Sequence, residues 1–428
     1  MRPLRNVSPS RSPWLWLLLT ALLLVLGAAA FACLRARYGW EDLFSVVWHL
    51  AQQLSRKRLA LALLVSGAVA WVALRWRSAP RAAYVALSAY LAGVLADGAV
   101  LLWVEHLGIS YGPVLLPLAL LAGLRFALAL GWRVLAWASR RVGLGLAPWP
   151  LLHVAAQWLI CLVVLDGFAI EPAQLTLSRV AVRDPYDTGA RPVRIVQVTD
   201  LHLERANDLT RRLVEMVNGL QPDLIVLTGD YLNSSYAYDP QAVSDLRDWL
   251  MALHARYGIY ATLGNVDPPE LERDYFGGLP VTLLEDRWAY LDVDGHRLAI
   301  AGLPMRRSRQ HGFDIQHDRR ALAALVPAKP VDRFSILLYH SPDLAPEAVE
   351  AGFNLYAAGH THGGQIRLPL YGAVVTSSIY GKRYEMGPYR EGGTLIYVSR
   401  GIGMEGWLVP RMRLFCPPEI VCYDVGGS

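Results

Sequence analysis

The first part of the chain is dominated by long apolar segments with few charged positions. Five such segments cover roughly residues 14–33, 59–76, 82–104, 113–135 and 151–170. Each is close to the length of about 20 residues that an α-helix needs to cross a bilayer. The pattern predicts an all-α transmembrane domain of about five helices over residues 1–171, with an uncleaved signal anchor as the alternative for the first segment.

The hydrophobic pattern changes after a short polar stretch. Residues 172–191 contain Pro172, Pro185 and Gly189 and are predicted to form a linker. From residue 192 to residue 428, short apolar runs alternate with amphipathic stretches, which is typical of an α/β fold. We therefore expect a second, α/β domain over residues 192–428.

Five of the short apolar runs in this second part end in polar clusters. The runs are residues 195–198, 224–227, 259–263, 336–339 and 355–358. The polar residues that follow them include Asp200, His202, Asp230, Asn265, Asp267, His340, His360 and His362. In open α/β sheets, ligands bind beyond the carboxyl ends of the strands, so we expect these clusters to converge on one edge.

The residue types in these clusters indicate a metal site. Carboxylates together with imidazoles suit Mn, Fe or Zn better than Ca, which prefers oxygen ligands. The candidates are too numerous for one tetrahedral zinc ion and suit two ions that share a bridging carboxylate. A single cluster has an ordinary explanation as a helix cap or a turn, but that explanation is weak for five clusters in succession.

Charge is distributed unevenly along the chain. Residues 1–171 carry 15 Lys and Arg against 6 Asp and Glu, whereas the remainder carries 26 against 30. The basic excess therefore belongs to the loops that flank the apolar segments. The mildly acidic second part has no basic surface pattern for nucleic acid, so no nucleic-acid partner is expected.

The placement of Lys and Arg also predicts an orientation. With the N-terminus inside, nine basic residues flank the inner side and five flank the outer side. Five spans would then place the α/β domain outside the cytoplasm, in a multi-pass protein of the cell (inner) membrane. The five basic residues of the first outer loop argue against this orientation.

Two charged residues lie inside consecutive apolar segments. Asp97 and Arg125 would both be buried in the bilayer, where charges are costly and are usually paired or functional. A structural ion pair is the favoured interpretation, and a transport or substrate role is the alternative.

The four cysteines form neither a disulfide framework nor a zinc pattern. Cys416 and Cys422 lie six residues apart in a predicted strand pair. Two buried thiols are the favoured interpretation, with a disulfide as the alternative.

The polar clusters combine into motifs that resemble those of the calcineurin-like metallophosphoesterase superfamily. The motifs are Asp200-x-His202, Gly229-Asp230, Gly264-Asn265, His340 and Gly359-His360-x-His362. The continuation Gly363-Gly364-Gln365 with Pro369, and the tail around Arg400 and Glu419, resemble the bacterial membrane-associated phosphodiesterase branch, which includes UDP-2,3-diacylglucosamine hydrolases. The resemblance implies a four-layer αββα sandwich that follows the transmembrane domain.

The resemblance also implies a ligand set. Asp200, His202 and His362 would hold one metal, Asn265, His340 and His360 the other, and Asp230 would bridge them. Manganese is favoured among Mn, Fe and Zn. The implied catalytic residues are Asp200, Asp230, Asn265 and His360, and the implied reaction is hydrolysis of a phosphodiester or pyrophosphate bond by a metal-bound hydroxide. The expected substrate is a phosphoester that is lipid-linked or part of the envelope, and the bilayer is an expected partner.

The sequence departs from the family pattern after Asn265. The family usually has a His at this position, which contacts the phosphate and helps to protonate the leaving group, but this chain has Val266. Acid–base help of this kind contributes about 10²–10⁴ in rate. A metal-binding sensor or scaffold with weak or no catalysis is therefore the alternative function. His311 and His317 are candidate replacements, with surface histidines as the favoured interpretation.

Overall fold

A computed structural model describes residues 81–106, 115–143, 149–187, 189, 191–308, 312–406 and 411–427. The predicted segments 14–33 and 59–76 and the candidate His311 lie outside these residues. Within them, helices α1 (Arg81–His106), α2 (Leu115–Arg141) and α3 (Trp149–Leu165) correspond to the last three predicted spans. Among the described residues, three stretches are long and apolar enough to cross a membrane: Leu87–Val104, Pro117–Ser139 and Leu152–Ala173.

The third of these stretches does not end as a simple α-helix. It continues from Leu165 as a π-helical turn, Asp166–Ile170, and then as a 3-10 turn, Glu171–Ala173. Single π-helical turns are rare in proteins. Those that occur are often found at functional sites. The turn brings Glu171 into contact with the α/β part of the chain: its carboxylate accepts hydrogen bonds from the backbone N–H groups of Phe415 and Cys416.

Asp97 and Arg125 form the predicted ion pair. Arg125 Nε lies 2.6 Å from Asp97 Oδ2 and Arg125 Nη2 lies 2.7 Å from Asp97 Oδ1, so the contact is bidentate. Both side chains are fully buried. The third helix completes the site, because Arg125 Nη1 donates to the carbonyl and side-chain oxygens of Gln157 at 2.8 and 2.9 Å. Gly93 leaves room for the guanidinium, since a Cβ there would lie 2.5 Å from Nη1.

The α/β part contains two six-stranded mixed sheets. The strands of the first sheet are β1 (Thr176–Arg183), β2 (Val193–Val198), β3 (Leu224–Leu227), β4 (Ile259–Ala261), β5 (Val281–Leu283) and β16 (Glu419–Gly426). Their order is β1-β16-β2-β3-β4-β5. The pairing of β16 with β2 is antiparallel and the other pairings are parallel.

The second sheet has the same number of strands. They are β6 (Arg287–Val293), β7 (His296–Leu303), β10 (Phe334–Tyr339), β11 (Leu355–Ala358), β14 (Gly387–Glu391) and β15 (Thr394–Val398), in the order β14-β15-β11-β10-β7-β6. Its two outermost pairings are antiparallel and its three central pairings are parallel. Two short antiparallel strand pairs in the described residues lie outside the sheets: β8 (Arg307–Ser308) with β9 (Gly312–Phe313), and β12 (Arg367–Leu368) with β13 (Gly372–Ala373).

Alternation along the strands generates four layers. In β2, Ile195 packs between the sheets, whereas Val196 packs outward under α4 (Asp208–Gly219) and α5 (Pro240–Met251). In β10, Ile336 packs between the sheets and Leu337 packs outward under α7 (Ile315–Leu325) and α8 (Ala345–Glu350). The short helix α6 (Glu272–Phe276) joins the first outer layer. The expected four-layer αββα sandwich is therefore confirmed.

The predicted linker contains a strand that the sequence did not reveal. β1 lies within residues 172–191 and pairs in parallel with β16 along its whole length. It is an edge strand with one mostly solvent-facing side, so its sequence carries polar residues and no continuous apolar run. The α/β fold thus begins at Thr176, before the boundary that the hydrophobic pattern suggested.

The cysteines also differ from the expected strand pair. Cys422 lies in β16, but Cys416 lies in the loop before that strand. Both are buried free thiols, as the favoured interpretation predicted.

The buried ion pair predicts a strong coupling between its two partners. Removing only the cation, as in Arg125→Met, leaves the Asp97 carboxylate buried without compensation and should cost about 3–5 kcal/mol. The double variant Asp97→Leu/Arg125→Met should recover most of that loss. The measurement is unfolding of the purified full-length protein in detergent. Equal destabilisation of the single and double variants would show that the pair is not energetically coupled.

Candidate metal centre

The predicted site residues follow the carboxyl ends of five strands, three in the first sheet and two in the second. Asp200 and His202 follow β2, Asp230 follows β3 and Asn265 follows β4. His340 follows β10, and His360 with His362 follows β11. The clusters therefore converge as predicted, but between two facing sheets and not along the edge of one.

The buried side chain of Gln197 joins the two sheets beside these loops. Its Nε2 donates to Thr228 Oγ1 at 2.9 Å in the first sheet and to the carbonyl of Ala358 at 3.1 Å in the second. Its Oε1 accepts from the Tyr423 hydroxyl at 2.5 Å. A buried amide with satisfied partners on both sides fixes the register between the two groups of loops.

The backbone at the predicted ligands is unusual. Five of the seven have positive φ values: Asp200 (50°), His202 (42°), Asp230 (58°), His360 (69°) and His362 (50°). Only a few per cent of residues other than Gly adopt this conformation, and such residues cluster at functional sites. Close packing holds the loops in place, because a Cβ at Gly401 would lie 2.5 Å from the Asp200 Cβ.

Asp200, His202 and His362 form one group of potential metal ligands. The two imidazole Nε2 atoms face each other at 3.1 Å, and His362 Nε2 lies 3.3 Å from Asp200 Oδ1. Asp230 borders this group, with its Oδ2 3.5 Å from His202 Nε2. All four side chains are buried.

Asp200, Asp230 and His340 form a second group that shares Asp200 with the first. His340 Nε2 lies 3.1 Å from Asp230 Oδ2 and 3.8 Å from Asp200 Oδ1. The other ring nitrogen, Nδ1, donates to the carbonyl of Thr228 at 2.7 Å, which fixes the ring with Nε2 directed at the aspartates. Asp200 and Asp230 thus connect the two groups.

The two remaining predicted residues border the same cluster. The backbone N–H of His360 donates to the Asp200 carboxylate at 3.1 Å, and its ring lies 5.1 Å from that of His340, measured between centroids. Asn265 precedes Val266, whose N–H donates to Asp230 Oδ1 at 3.0 Å. The Asn265 Oδ1 atom is buried and has no hydrogen-bond partner in the described part of the chain.

Burial and mutual interaction shift the ionisation of these groups in opposite directions. Burial opposes protonation of His340, yet Asp230 and Asp200 raise its pKa to about 10. Burial favours the neutral form of Asp230, but His340 and His202 nevertheless lower the pKa of its carboxyl group. Burial and the nearby His340 lower the pKa of His360 to about 3, so that ring presents an unprotonated nitrogen.

The donor set fits a pair of divalent cations. Metal–nitrogen and metal–oxygen bonds of about 2.0–2.2 Å bring neighbouring donors to about 3–3.5 Å from each other, which matches the His202–His362 and Asp200–His362 separations. The unpartnered Asn265 Oδ1 is one further oxygen donor at the cluster. Imidazole, carboxylate and amide ligands together suit Mn, Fe and Zn.

Asp267 organises the backbone around the cluster. Its Oδ2 accepts from the N–H groups of Asp230 and Gly264, both at 2.7 Å, and its Oδ1 accepts from Tyr231 N–H at 2.9 Å. Burial and the neighbouring Asp230 raise the pKa of Asp267 to about 7, while the three N–H donors favour its charged form. Asp267 therefore acts on the site through the loops that carry Asp230 and Asn265.

Glu405 contacts the cluster and was not predicted. Its Oε2 lies 3.3 Å from His202 Nδ1 and 3.3 Å from Asn233 Nδ2. Gln365 anchors it through two hydrogen bonds with its backbone, at 2.5 and 3.0 Å. A carboxylate beside an imidazole ligand helps to orient its ring. Glu405 belongs to none of the recognised motifs, so nothing in the sequence pointed to it.

His317 does not serve as a replacement for the missing motif histidine. It is exposed on α7, where its Nδ1 lies 3.6 Å from Asp318 Oδ1. This agrees with its interpretation as a surface residue. Val266 itself is half-buried, and its backbone N–H donates to the Asp230 carboxylate.

Comparison with known proteins gives consistent matches. The family model for calcineurin-like phosphoesterases matches residues 193–364. The metallophosphoesterase YkuE of Bacillus subtilis is 33% identical over 274 residues, which cover 62% of this chain and 88% of that protein. The UDP-2,3-diacylglucosamine pyrophosphatase LpxG of Chlamydia muridarum is 26% identical over 300 residues, covering 59% of this chain and 89% of LpxG. A transmembrane protein with a metallophosphoesterase domain from Bos taurus is 29% identical over 344 residues, covering 73% of this chain and 70% of that protein.

Proposed function

The chain belongs to the calcineurin-like phosphoesterase family, and we propose that it is a membrane-anchored phosphoesterase with two metal ions that hydrolyses a phosphodiester or pyrophosphate bond of a lipid-linked or envelope substrate. It is a metal-dependent hydrolase that acts on phosphoric esters. The observation that carries the finer proposal is the pair of ligand groups that share Asp200 between facing loops.

We propose the following ligands. Asp200, His202 and His362 would hold one metal; Asn265, His340 and His360 would hold the other; and Asp230 would bridge them. The ions are divalent, and manganese is favoured. When bound, two such cations supply a nucleophile from water at neutral pH and neutralise charge on the phosphoryl group.

The protein's own residues act by fixing this arrangement. His340 is held in one tautomer by the Thr228 carbonyl, and Glu405 supports His202. Asp267 holds the backbone of the Asp230 and Asn265 loops. Fixed donors need little reorganisation as charge develops in the transition state, and this is the main contribution that a phosphoesterase scaffold makes.

Val266 points to a particular kind of substrate. A valine cannot donate a proton to the leaving oxygen, so leaving groups that need little protonation should react best. A phosphate leaving group from a pyrophosphate bond meets this condition. LpxG, which is named as a pyrophosphatase of an acylated nucleotide sugar, offers a model for a lipid-linked substrate of this class.

The bridging role of Asp230 predicts the most damaging ligand substitution. In Asp230→Ala both metals lose a shared ligand, so metal content should fall well below two ions per chain. Hydrolysis of bis-p-nitrophenyl phosphate by the full-length protein with added Mn²⁺ should fall by at least about 10³-fold. Elemental analysis and the rate assay measure the two effects, and Asp424→Ala, in β16, is the control. Two metals retained in Asp230→Ala would refute the bridging assignment.

Position 266 separates a catalyst from a scaffold. Val266→His should raise turnover on diesters with leaving groups of high pKa, because the new imidazole can protonate the departing oxygen, and should leave aryl esters unchanged. The measurement is a series of diesters of graded leaving-group pKa, with Val266→Asn as a control that cannot act as an acid. A rate that does not increase for the His variant anywhere in the series would show that Val266 is not a missing acid. No turnover in either protein, with both metals bound, would favour the sensor or scaffold role.

We also propose that the protein is a multi-pass protein of the inner membrane whose catalytic part is extracytoplasmic. The support is the excess of basic residues on the inner side of the predicted spans and the three long apolar stretches. Alkaline phosphatase fused to the C-terminus should be active, and a green fluorescent protein fused there should not fluoresce. The reverse pattern would place the site in the cytoplasm, where nucleotide-linked substrates are mainly found.

A further inference from the structure

A hairpin beside the candidate metal centre exposes apolar side chains. Residues 366–375, which contain β12 and β13, form this hairpin, and we refer to them as the apolar hairpin. Its exposed large apolar residues are Leu368, Leu370, Tyr371, Val374 and Val375, and Ile379 and Phe415 are exposed on the segments next to it. Contiguous apolar surface of this kind marks an interaction site.

Leu370 makes the exposure at the tip of the hairpin especially unfavourable in water. Its side chain is completely exposed, and its φ value is +66°. Gly or Asn would adopt this backbone conformation at lower cost and would not place a leucine in solvent. A leucine at such a position is explained by contact with an apolar environment.

The polar groups of the hairpin have the arrangement of an interfacial segment. Lys382 Nζ lies 4.2 Å from the centroid of the Tyr371 ring and donates to the carbonyls of Tyr371 and Ala373. Glu385 accepts from both Lys382 and Arg367, so the base of the hairpin carries little unpaired charge. Tyrosine paired with a long basic side chain is characteristic of the membrane–water boundary.

The apolar hairpin is joined to the end of the third membrane-length stretch. Glu171, near the end of that stretch, accepts from Phe415 N–H at 2.7 Å and also from Cys416 N–H. The preceding residue, Leu414, pairs with the start of the hairpin: Leu414 N–H donates to Gln365 and Arg367 N–H donates to Leu414, both at 2.9 Å. The tip at Leu370 lies only four residues beyond Ile366, or at most about 13 Å along a strand.

The other side of the hairpin is attached to the ligand loop. Arg367 Nη1 donates to the carbonyl of Gly363 at 2.8 Å, next to His362. Gly364 packs so closely on Ala373 that a Cβ at this glycine would lie 2.4 Å from the Ala373 Cβ. Ser377 Oγ donates to the carbonyl of His360 at 3.2 Å. The hairpin and Ser377, just beyond it, therefore contact the loop that carries His360 and His362.

From these contacts we infer that the apolar hairpin inserts into the lipid bilayer that the apolar helices span. The hairpin is then a second membrane contact of the α/β part, and it places the adjoining loop that carries His360 and His362 beside the bilayer surface. This inference rests on the membrane anchoring under the proposed function and does not depend on catalysis.

The test measures the depth of the hairpin in a bilayer. Full-length Leu370→Cys, labelled with an NBD fluorophore, is reconstituted in phosphatidylcholine nanodiscs that contain a doxyl-labelled lipid. The matched control is Val331→Cys, another strongly exposed apolar position, which lies before β10 and hence at the edge away from the site. Wild-type protein labelled in parallel gives the contribution of the native cysteines.

The fluorophore at position 370 should shift to the blue and be quenched at least threefold more strongly than the one at position 331. Equal quenching at the two positions would overturn the inference. A blue shift without lipid quenching would also overturn it, because the surface would then be covered by protein. The fluorescence measurement does not depend on enzymatic turnover. An inactive enzyme can therefore be distinguished from a hairpin that lies outside the bilayer.

A second variant tests the role of Leu370 without disturbing the fold. Asn accepts the left-handed backbone, so Leu370→Asn should fold and should hydrolyse soluble bis-p-nitrophenyl phosphate at the wild-type rate. In that background, lipid quenching of a fluorophore at Val375→Cys should fall at least twofold. Unchanged quenching would show that Leu370 does not hold the hairpin in lipid.

Discussion

The fold has to keep two buried aspartates, Asp200 and Asp230, next to each other. Carboxylates removed from water are costly unless positive charge neutralises them, and the sandwich surrounds this pair with imidazole rings. The loops reach the pair only by adopting left-handed backbone at five ligand positions. Glycines at the points of closest approach, the side chain of Asp267 and the amide of Gln197 all serve to hold that backbone.

The helical part solves a similar electrostatic problem with different chemistry. Asp97 is also buried, but its partner is a covalently attached cation, the guanidinium of Arg125, which uses its remaining donors on Gln157. The ion pair thus finds its hydrogen-bond partners within the helices and needs no further ligand. The aspartates of the metal centre instead share imidazole rings from several loops, and the buried amide oxygen of Asn265 has no hydrogen-bond partner among the described residues. This difference separates a structural charge pair from a site that is built to bind a cation.

Much of the site could be predicted because it depends on a simple pattern. Each strand that ends at the site is an apolar run followed by a polar residue, and runs of this kind are visible without a structure. The edge strand β1 lacked such a run and was missed. The left-handed φ values and the contact of Glu405 with His202 were also missed, because tertiary packing alone fixes them. The pairing of Asp97 with Arg125 was predicted from charge, whereas the hydrogen bond from Arg125 to the Gln157 side chain was not.

The backbone N–H groups of Phe415 and Cys416 donate to Glu171 and so hold the end of the third membrane-length stretch against the α/β part. The connection is therefore not a flexible tether. β1 starts only three residues after Ala173. The rotation of α3 about its own axis is therefore coupled to the orientation of the first sheet. Inserting a single residue into that helix would turn everything beyond it by about 100° and move it by about 1.5 Å. The end of this helix is thereby linked to the ligand loop, because Cys416, whose N–H donates to Glu171, also donates from its thiol to the carbonyl of His362 at 3.2 Å.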